Sequence, residues 1–106
     1  MNTQLKKGIL EMCVLYVISE QDMYGFEVIE RLAKDIDVNE NTIYPILRRL
    51  TAQHLFTIYE KQTNLGAPRK YYQITDAGKQ RLAENINEWK TFLNGVFKIV
   101  GGTFNE

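Results

Sequence analysis

The densest recognition chemistry in this 106-residue chain lies between positions 41 and 49. Asn41, Thr42, Tyr44, Pro45, Arg48 and Arg49 supply hydrogen-bond donors and acceptors, an aromatic ring and two cations, with no carboxylate among them. Such a set suits a polyanion, because guanidinium forks match phosphate and base-edge acceptors while short polar side chains add directional hydrogen bonds. Catalysis finds no comparable set. His54 and Cys13 are each the only residue of their type, no Gly-rich phosphate loop follows a strand, and no metal-ligand spacing occurs. No catalytic residue, metal site or cofactor is therefore expected.

A helix is needed to present these groups together. Over Asn39 to Leu50 the residues Ile43, Ile46, Leu47 and Leu50 fall on one narrow face, since positions three and four apart stack along one side of an α-helix. Burying that face turns Asn41, Pro45 and Arg48 outward, with Thr42, Tyr44 and Arg49 on the flanks. The plain alternative is an ordinary amphipathic surface helix. Asn39 is the expected N-cap, accepting from first-turn amides after a turn at Asp35 to Val38. Pro45 removes one backbone bond and costs roughly 3 kcal/mol in a helix interior, so it is either functional or a tolerated kink.

Two helices precede this one. Gln4 to about Glu20 is apolar nearly all round and must be covered on more than one side. A short connection at Asp22 to Gly25 leads to a second helix, Phe26 to Lys34, with Phe26, Ile29 and Leu32 or Ala33 facing inward. Downstream, Leu55 to Lys61 and Arg69 to Thr75 alternate apolar and polar residues as strands do, and QTNLGAP between them makes a long hairpin tip. The expected fold class is mainly α with a small β-hairpin: a winged helix-turn-helix plus a long C-terminal helix. In that order of elements the third helix enters a DNA major groove and the hairpin lies along the neighbouring backbone. Arg49, Arg69 and Lys70, with Lys61, are placed for phosphates; the alternatives are a neighbouring acid as partner for Arg49 and plain solvated surface for Lys61.

The last helix, capped by Thr75 and Asp76, runs to about Val100, or about 37 Å. Leu82, Ile86, Trp89, Leu93, Val96 and Val100 follow an unbroken seven-residue repeat, the spacing of a coiled-coil-like seam. Phe92, Phe97 and Ile99 form a second apolar strip that a small domain cannot cover alone. A homodimer through this helix, with Leu5 and Ile9 of the first helix adding to the interface, is expected; the alternative is a helix folded back on its own domain. Gly101 and Gly102 end it. The chain then divides into residues 1–75, a winged helix-turn-helix DNA-binding domain, and residues 76–106, a dimerisation helix with a short tail.

Length and composition agree with one folded domain that a second subunit could complete. The formal net charge of zero hides an asymmetry: residues 11–40 hold eight acids against Arg31 and Lys34, whereas residues 41–72 hold five cations against Glu60. Balances of −6 and +4 follow, the positive one on the segment proposed to meet a polyanion. A single cysteine excludes an intrachain disulfide, and Cys13 reads as a buried small hydrophobe. The apolar run from Ile9 to Ile18 is too short to span a bilayer and has no cleavage-like site behind it, so no membrane partner and a cytoplasmic location are expected.

Several motifs resemble one family. Lys7-Gly8-Ile9-Leu10-Glu11 opens the first helix and Tyr24-Gly25-Phe26-Glu27-Val28 the second. Thr42-Ile43-Tyr44-Pro45-Ile46-Leu47-Arg48-Arg49-Leu50 fills the third, and Pro68-Arg69-Lys70-Tyr71-Tyr72, then Ile74-Thr75 and Gly78, follow in the wing and beyond. Together these residues, spanning 7 to about 100, resemble the PadR-family transcriptional regulators of the short type with one C-terminal helix. The resemblance implies a homodimeric, mostly repressing, double-stranded-DNA-binding protein that releases its operator when a small molecule binds. It also implies a role for Trp89. In multidrug-sensing relatives a tryptophan from each subunit flanks a planar aromatic ligand, so Ile86, Trp89 and Leu93 would line such a site. Read structurally, Trp89 is simply the largest knob of the seam. A rival reading of the whole chain is a dimeric winged-helix protein-interaction module without sequence-specific DNA binding.

Overall fold

The structure is a computed structural model that describes residues 3–102, with side chains from Lys6 onward. In chain order the elements are α1 (Thr3–Glu20), β1 (Met23–Tyr24), α2 (Gly25–Ala33), α3 (Glu40–Ala52), β2 (Phe56–Lys61), β3 (Arg69–Ile74) and α4 (Asp76–Val100). This is the expected mainly helical winged arrangement with a long last helix. One element is additional. The connection foreseen at Asp22 to Gly25 contains β1, which pairs antiparallel with β3 and makes a sheet of order β1-β3-β2. Two residues are too few to show alternation, so only their partner strand reveals them.

Helix α1 lies at the centre. Leu10, Val14, Leu15, Val17 and Ile18 are all buried, and α2, α3, β3 and α4 pack around it, as its nearly all-round apolar surface requires. Cys13 is half-buried at the core's edge rather than fully inside, and burial pushes its thiol pKa up. In α2 the buried stripe is Gly25, Val28 and Leu32, while Phe26 is 55% exposed, contrary to the expectation that it faces inward. The reason is steric: the Tyr44 ring of α3 lies on Gly25, where a Cβ would sit 2.4 Å from Tyr44 Cε1, so the glycine must be the inward residue. Phe26, one residue on, is turned about 100° away. Backbone N–H of Tyr24 donates to Glu27 Oε1 at 3.1 Å and closes the start of this helix.

Asn39 caps α3 as expected, its Oδ1 accepting from Thr42 N at 3.3 Å. Ile43, Ile46, Leu47 and Leu50 are each at most 3% exposed, so the narrow apolar face is wholly consumed by the core. The helix leaves through His54 at φ +63, a left-handed turn conformation in which histidine is among the better tolerated side chains. Thr75 then joins the two halves of the fold. Its hydroxyl donates to His54 O at 2.8 Å and accepts from Gly78 N at 3.0 Å, capping α4. At the other end Gly101, at φ +85, donates its N–H to Phe97 O. Among the described residues no helix is long and apolar enough to cross a membrane.

Gly78 has no room for a side chain: a Cβ there would lie 2.3 Å from Leu55 O and 2.6 Å from Ile74 Cγ1. That carbonyl already accepts from Thr75 N and cannot retreat cheaply. Gly78→Ala is expected to destabilise the fold by about 3 kcal/mol, although alanine ordinarily strengthens a helix. Urea unfolding followed by circular dichroism measures it, and a midpoint at or above that of the natural chain would contradict this packing.

Candidate nucleic-acid interface

With its inner edge buried, α3 presents Asn41 and Arg48 as exposed side chains, flanked by half-buried Thr42, Tyr44 and Pro45. Thr42 is partly engaged, its hydroxyl 3.5 Å from the capping Asn39 Oδ1. Pro45 leaves the carbonyl of Asn41 without its usual amide partner one turn on, yet the helix continues unbroken to Ala52. Tyr44 is less free than its position suggested, because the ring rests against Gly25 and the core. Arg49 follows its alternative reading, an acid partner, and not the phosphate role. Its Nε donates to Glu11 Oε1 at 2.7 Å and its Nη2 bonds the same oxygen, with both side chains only a quarter or so exposed. A guanidinium held this way ties α3 to α1 and is a poor phosphate ligand; the partner acid lies 38 residues away, beyond any local pattern.

The hairpin register separates the wing cations. Glu60 faces Lys70 and Lys61 faces Arg69 across β2 and β3, and successive side chains alternate between sheet faces. Arg69 and Lys70, adjacent in sequence, therefore lie on opposite faces. Lys70 shares its face with Tyr72, Phe56 and Met23, the side that packs on the helices. Buried Tyr72 has its phenol pKa raised, first by burial and then by neighbouring Tyr44, while the Arg48 charge pulls it down.

Arg69 and Lys61 share the other face with Tyr71, Tyr59 and Tyr24, one aromatic from each strand. Tyr59 stacks on Tyr71 with centroids 5.6 Å apart, and Tyr24 meets Tyr71 edge-on at 5.5 Å. The Arg69 guanidinium carbon is 4.4 Å from the Tyr24 ring centre, and Lys61 Nζ is 5.3 Å from that of Tyr71. Asp22 fastens the lower end. It accepts from the Tyr59 hydroxyl at 2.7 Å, which raises that phenol's pKa, and from Gln73 Nε2 at 3.4 Å.

Sequence reasoning missed two cations. Lys6 and Lys7, both exposed at the start of α1, border a depression of about 460 Å³ shared with Asn41, Thr42 and Pro45. They lie more than 30 positions from α3, and only the packing of α1 on α3 brings the two together.

The residues foreseen for a dimer seam divide along α4. Leu82 is buried in the subunit's own core, and Ile86 packs against it. The helix leaves the body only after its first turns, so these two positions are already covered within one subunit. Trp89, Leu93 and Val96 are half-buried, whereas Val100, with Phe92 and Ile99, is more than half exposed. Ile9 is half-buried on α1, and the side chain of Leu5 lies outside the described residues. The three expected ligand contacts, Ile86, Trp89 and Leu93, are not gathered within one subunit. Ile86 lines an apolar cavity of about 260 Å³ with Met12, Cys13, Tyr16 and Ile36, whereas Trp89 lies outside it, edge-on to Phe92 at 6.1 Å.

Comparison with known proteins agrees with this geometry. The model of the transcriptional regulator PadR-like family matches residues 14–84, more than half of the chain. An uncharacterized protein of Lysinibacillus sphaericus is 32% identical over 87 residues, covering 78% of this chain and 80% of its own. A PadR-like transcriptional regulator from Bacillus cereus is 38% identical, with a TM-score of 0.84 over 95% of this chain and 100% of its own. A Streptococcus transcriptional regulator is 31% identical, with a TM-score of 0.85 over 94% of this chain and 100% of its own. Bacillus subtilis PadR, solved in complex with operator DNA, is 25% identical, with a TM-score of 0.64 over 72% of this chain and 44% of its own. The chain therefore belongs to the transcriptional regulator PadR-like family and is a transcriptional regulator rather than an enzyme.

Proposed function

We propose that the protein is a sequence-specific repressor that binds double-stranded DNA as a homodimer on an inverted-repeat operator. The observation that carries this reading is the division of α3: its apolar edge is entirely buried, so Asn41 and Arg48, with what the seat on Gly25 leaves open of Tyr44, form the side left to meet base edges. Arg69, Lys70 and Lys61 of the wing are the phosphate contacts. Arg49, engaged with Glu11, serves to position α3. Bacillus subtilis PadR, solved in complex with operator DNA, supports DNA as the partner. Such a protein works in the cytoplasm, where bacterial DNA lies.

Two subunits associate through the outer half of α4 and so place two recognition helices about one helical turn, roughly 34–36 Å, apart. The exposed Phe92, Ile99 and Val100 support the dimer, since an apolar strip of this kind is seldom left to water. A planar aromatic effector would then sit between the two Trp89 rings, bordered by Leu93, while Ile86 stays with its own subunit's core, and would release the operator by changing how the helices cross. Glu88 lies off the seam, which argues against a strongly cationic ligand.

Gel shift and footprinting on the DNA upstream of the protein's own gene test the reading; protection of a single half-site would contradict it. Arg69→Ala with Lys70→Ala is expected to weaken all sequences alike and to make the log–log salt dependence shallower by about two per subunit. Arg48→Ala is expected to narrow the gap between operator and unrelated DNA, by about 1–3 kcal/mol if its contact is bidentate. Leu93→Glu with Val96→Glu should give monomers in sedimentation at micromolar concentration; unchanged dimers would move the interface off this helix. Planar aromatics should quench Trp89 fluorescence in the natural dimer, and a broad panel without quenching would remove the effector.

A further inference from the structure

The outer face of the wing holds a feature that the DNA-binding reading does not use, although the inference drawn from it rests on that reading. Cations in this fold are fixed in two different ways. Arg49 is held by Glu11, and Arg31 reaches Glu20 and Asp35, so these guanidinium groups are fixed by carboxylates and their charge is offset. Arg69 and Lys61 instead rest on the rings of Tyr24 and Tyr71, and among the described residues no carboxylate pairs with either. A ring restrains a cation without neutralising it. A guanidinium whose carbon lies over a ring is attracted by the π-system and keeps N–H donors that a phosphate oxygen can use.

From this geometry we infer that Tyr24 is a positioning residue for DNA binding, its ring holding the Arg69 guanidinium in place while leaving the full charge and N–H donors for the phosphate backbone. The role gives the two-residue strand β1 a purpose. Pairing of Tyr24 with Tyr71 sets the ring beneath Arg69, and Tyr71 in turn stacks on Tyr59, which Asp22 fastens. The next residue, Gly25, is the seat of the Tyr44 ring on α3. Adjacent residues 24 and 25 therefore join the wing's arginine to the recognition helix through one short stretch of backbone. That link fixes the spacing between groove contact and backbone contact.

The test compares Tyr24→Phe and Tyr24→Leu in the full chain, each with and without Arg69→Ala, by fluorescence anisotropy on a duplex covering the protein's own promoter and on an unrelated duplex. Phenylalanine keeps the ring and should bind within about twofold of the natural chain, whereas leucine should weaken both duplexes about two- to fivefold, the size of an exposed cation–π contact. In the Arg69→Ala background the leucine variant should lose nothing further. An equal loss in both backgrounds would show that Tyr24 acts only through the fold and would overturn the inference, as would no loss in either. Failure of the natural protein to bind any duplex would instead sink the DNA-binding reading itself. Should the leucine variant not fold, NMR of the natural protein decides: Arg69 side-chain protons shifted upfield by the tyrosine ring support the contact, and unshifted ones refute it.

Discussion

Seating α3 by its apolar edge is the constraint on which the rest of this molecule depends. Four side chains, Ile43, Ile46, Leu47 and Leu50, are removed almost completely from water, and at roughly 1.5–3 kcal/mol for each fully buried aliphatic side chain they hold the helix at one rotation about its axis. Two further contacts make that rotation unique. Glu11 pulls on Arg49 from α1, and Gly25 of α2 gives the Tyr44 ring a flat seat that any side chain would spoil. A helix held from three directions cannot turn to suit a ligand. What it shows to the outside is decided before any partner arrives, which is the preorganisation that selective recognition needs.

Charge in this protein is managed according to what each cation does. The neutral total conceals an acidic first third, and much of that acid is structural: Glu11 locks a helix, Asp22 gathers the lower wing, and Glu20 and Asp35 attend Arg31. Arg49, at the joint of α1 and α3, is matched with a carboxylate where it would otherwise lose hydration without compensation. The cations on the wing are matched with aromatic rings or left in water, which preserves the positive balance of residues 41–72 as an external field. The same residue type thus serves as a fastener at position 49 and as an unneutralised charge at position 69.

Helix α4 changes its surroundings along its length. Its first turns are tied by Thr75 and Gly78 to the end of α3 and to β3, and Leu82 belongs to the same core as α1. Beyond Trp89 the helix stands away from the body with apolar residues in water, and the molecule extends 55 Å in its longest direction. Rigid attachment at one end and an uncovered apolar surface at the other suit an arm that carries a second subunit at a set distance. The proposed coupling between effector and operator uses that rigidity: a small change in how two such arms cross would be carried directly to α3.

Much of this was legible in the order of residues. The alternation of the wing, the cap at Asn39, the cap at Thr75 and the 3.6-residue spacing of α3 are local patterns, because helices and strands report their buried side within a few residues. For the same reason the outward position of Arg48 and the hairpin location of Arg69 and Lys70 followed from spacing alone. What the sequence could not decide were choices between partners distant along the chain. That Arg49 would find Glu11, that Phe26 would yield the inner face to Gly25, that two residues at 23 and 24 would form a strand, and that Leu82 would be enclosed within its own subunit all depend on which surfaces meet. The sequence by itself determined the elements and the chemistry each carries, since both are set by neighbours three, four or two positions away. The tertiary structure alone decided which cations remain free and which faces remain open, because electrostatic pairing and steric exclusion act through space between residues tens of positions apart.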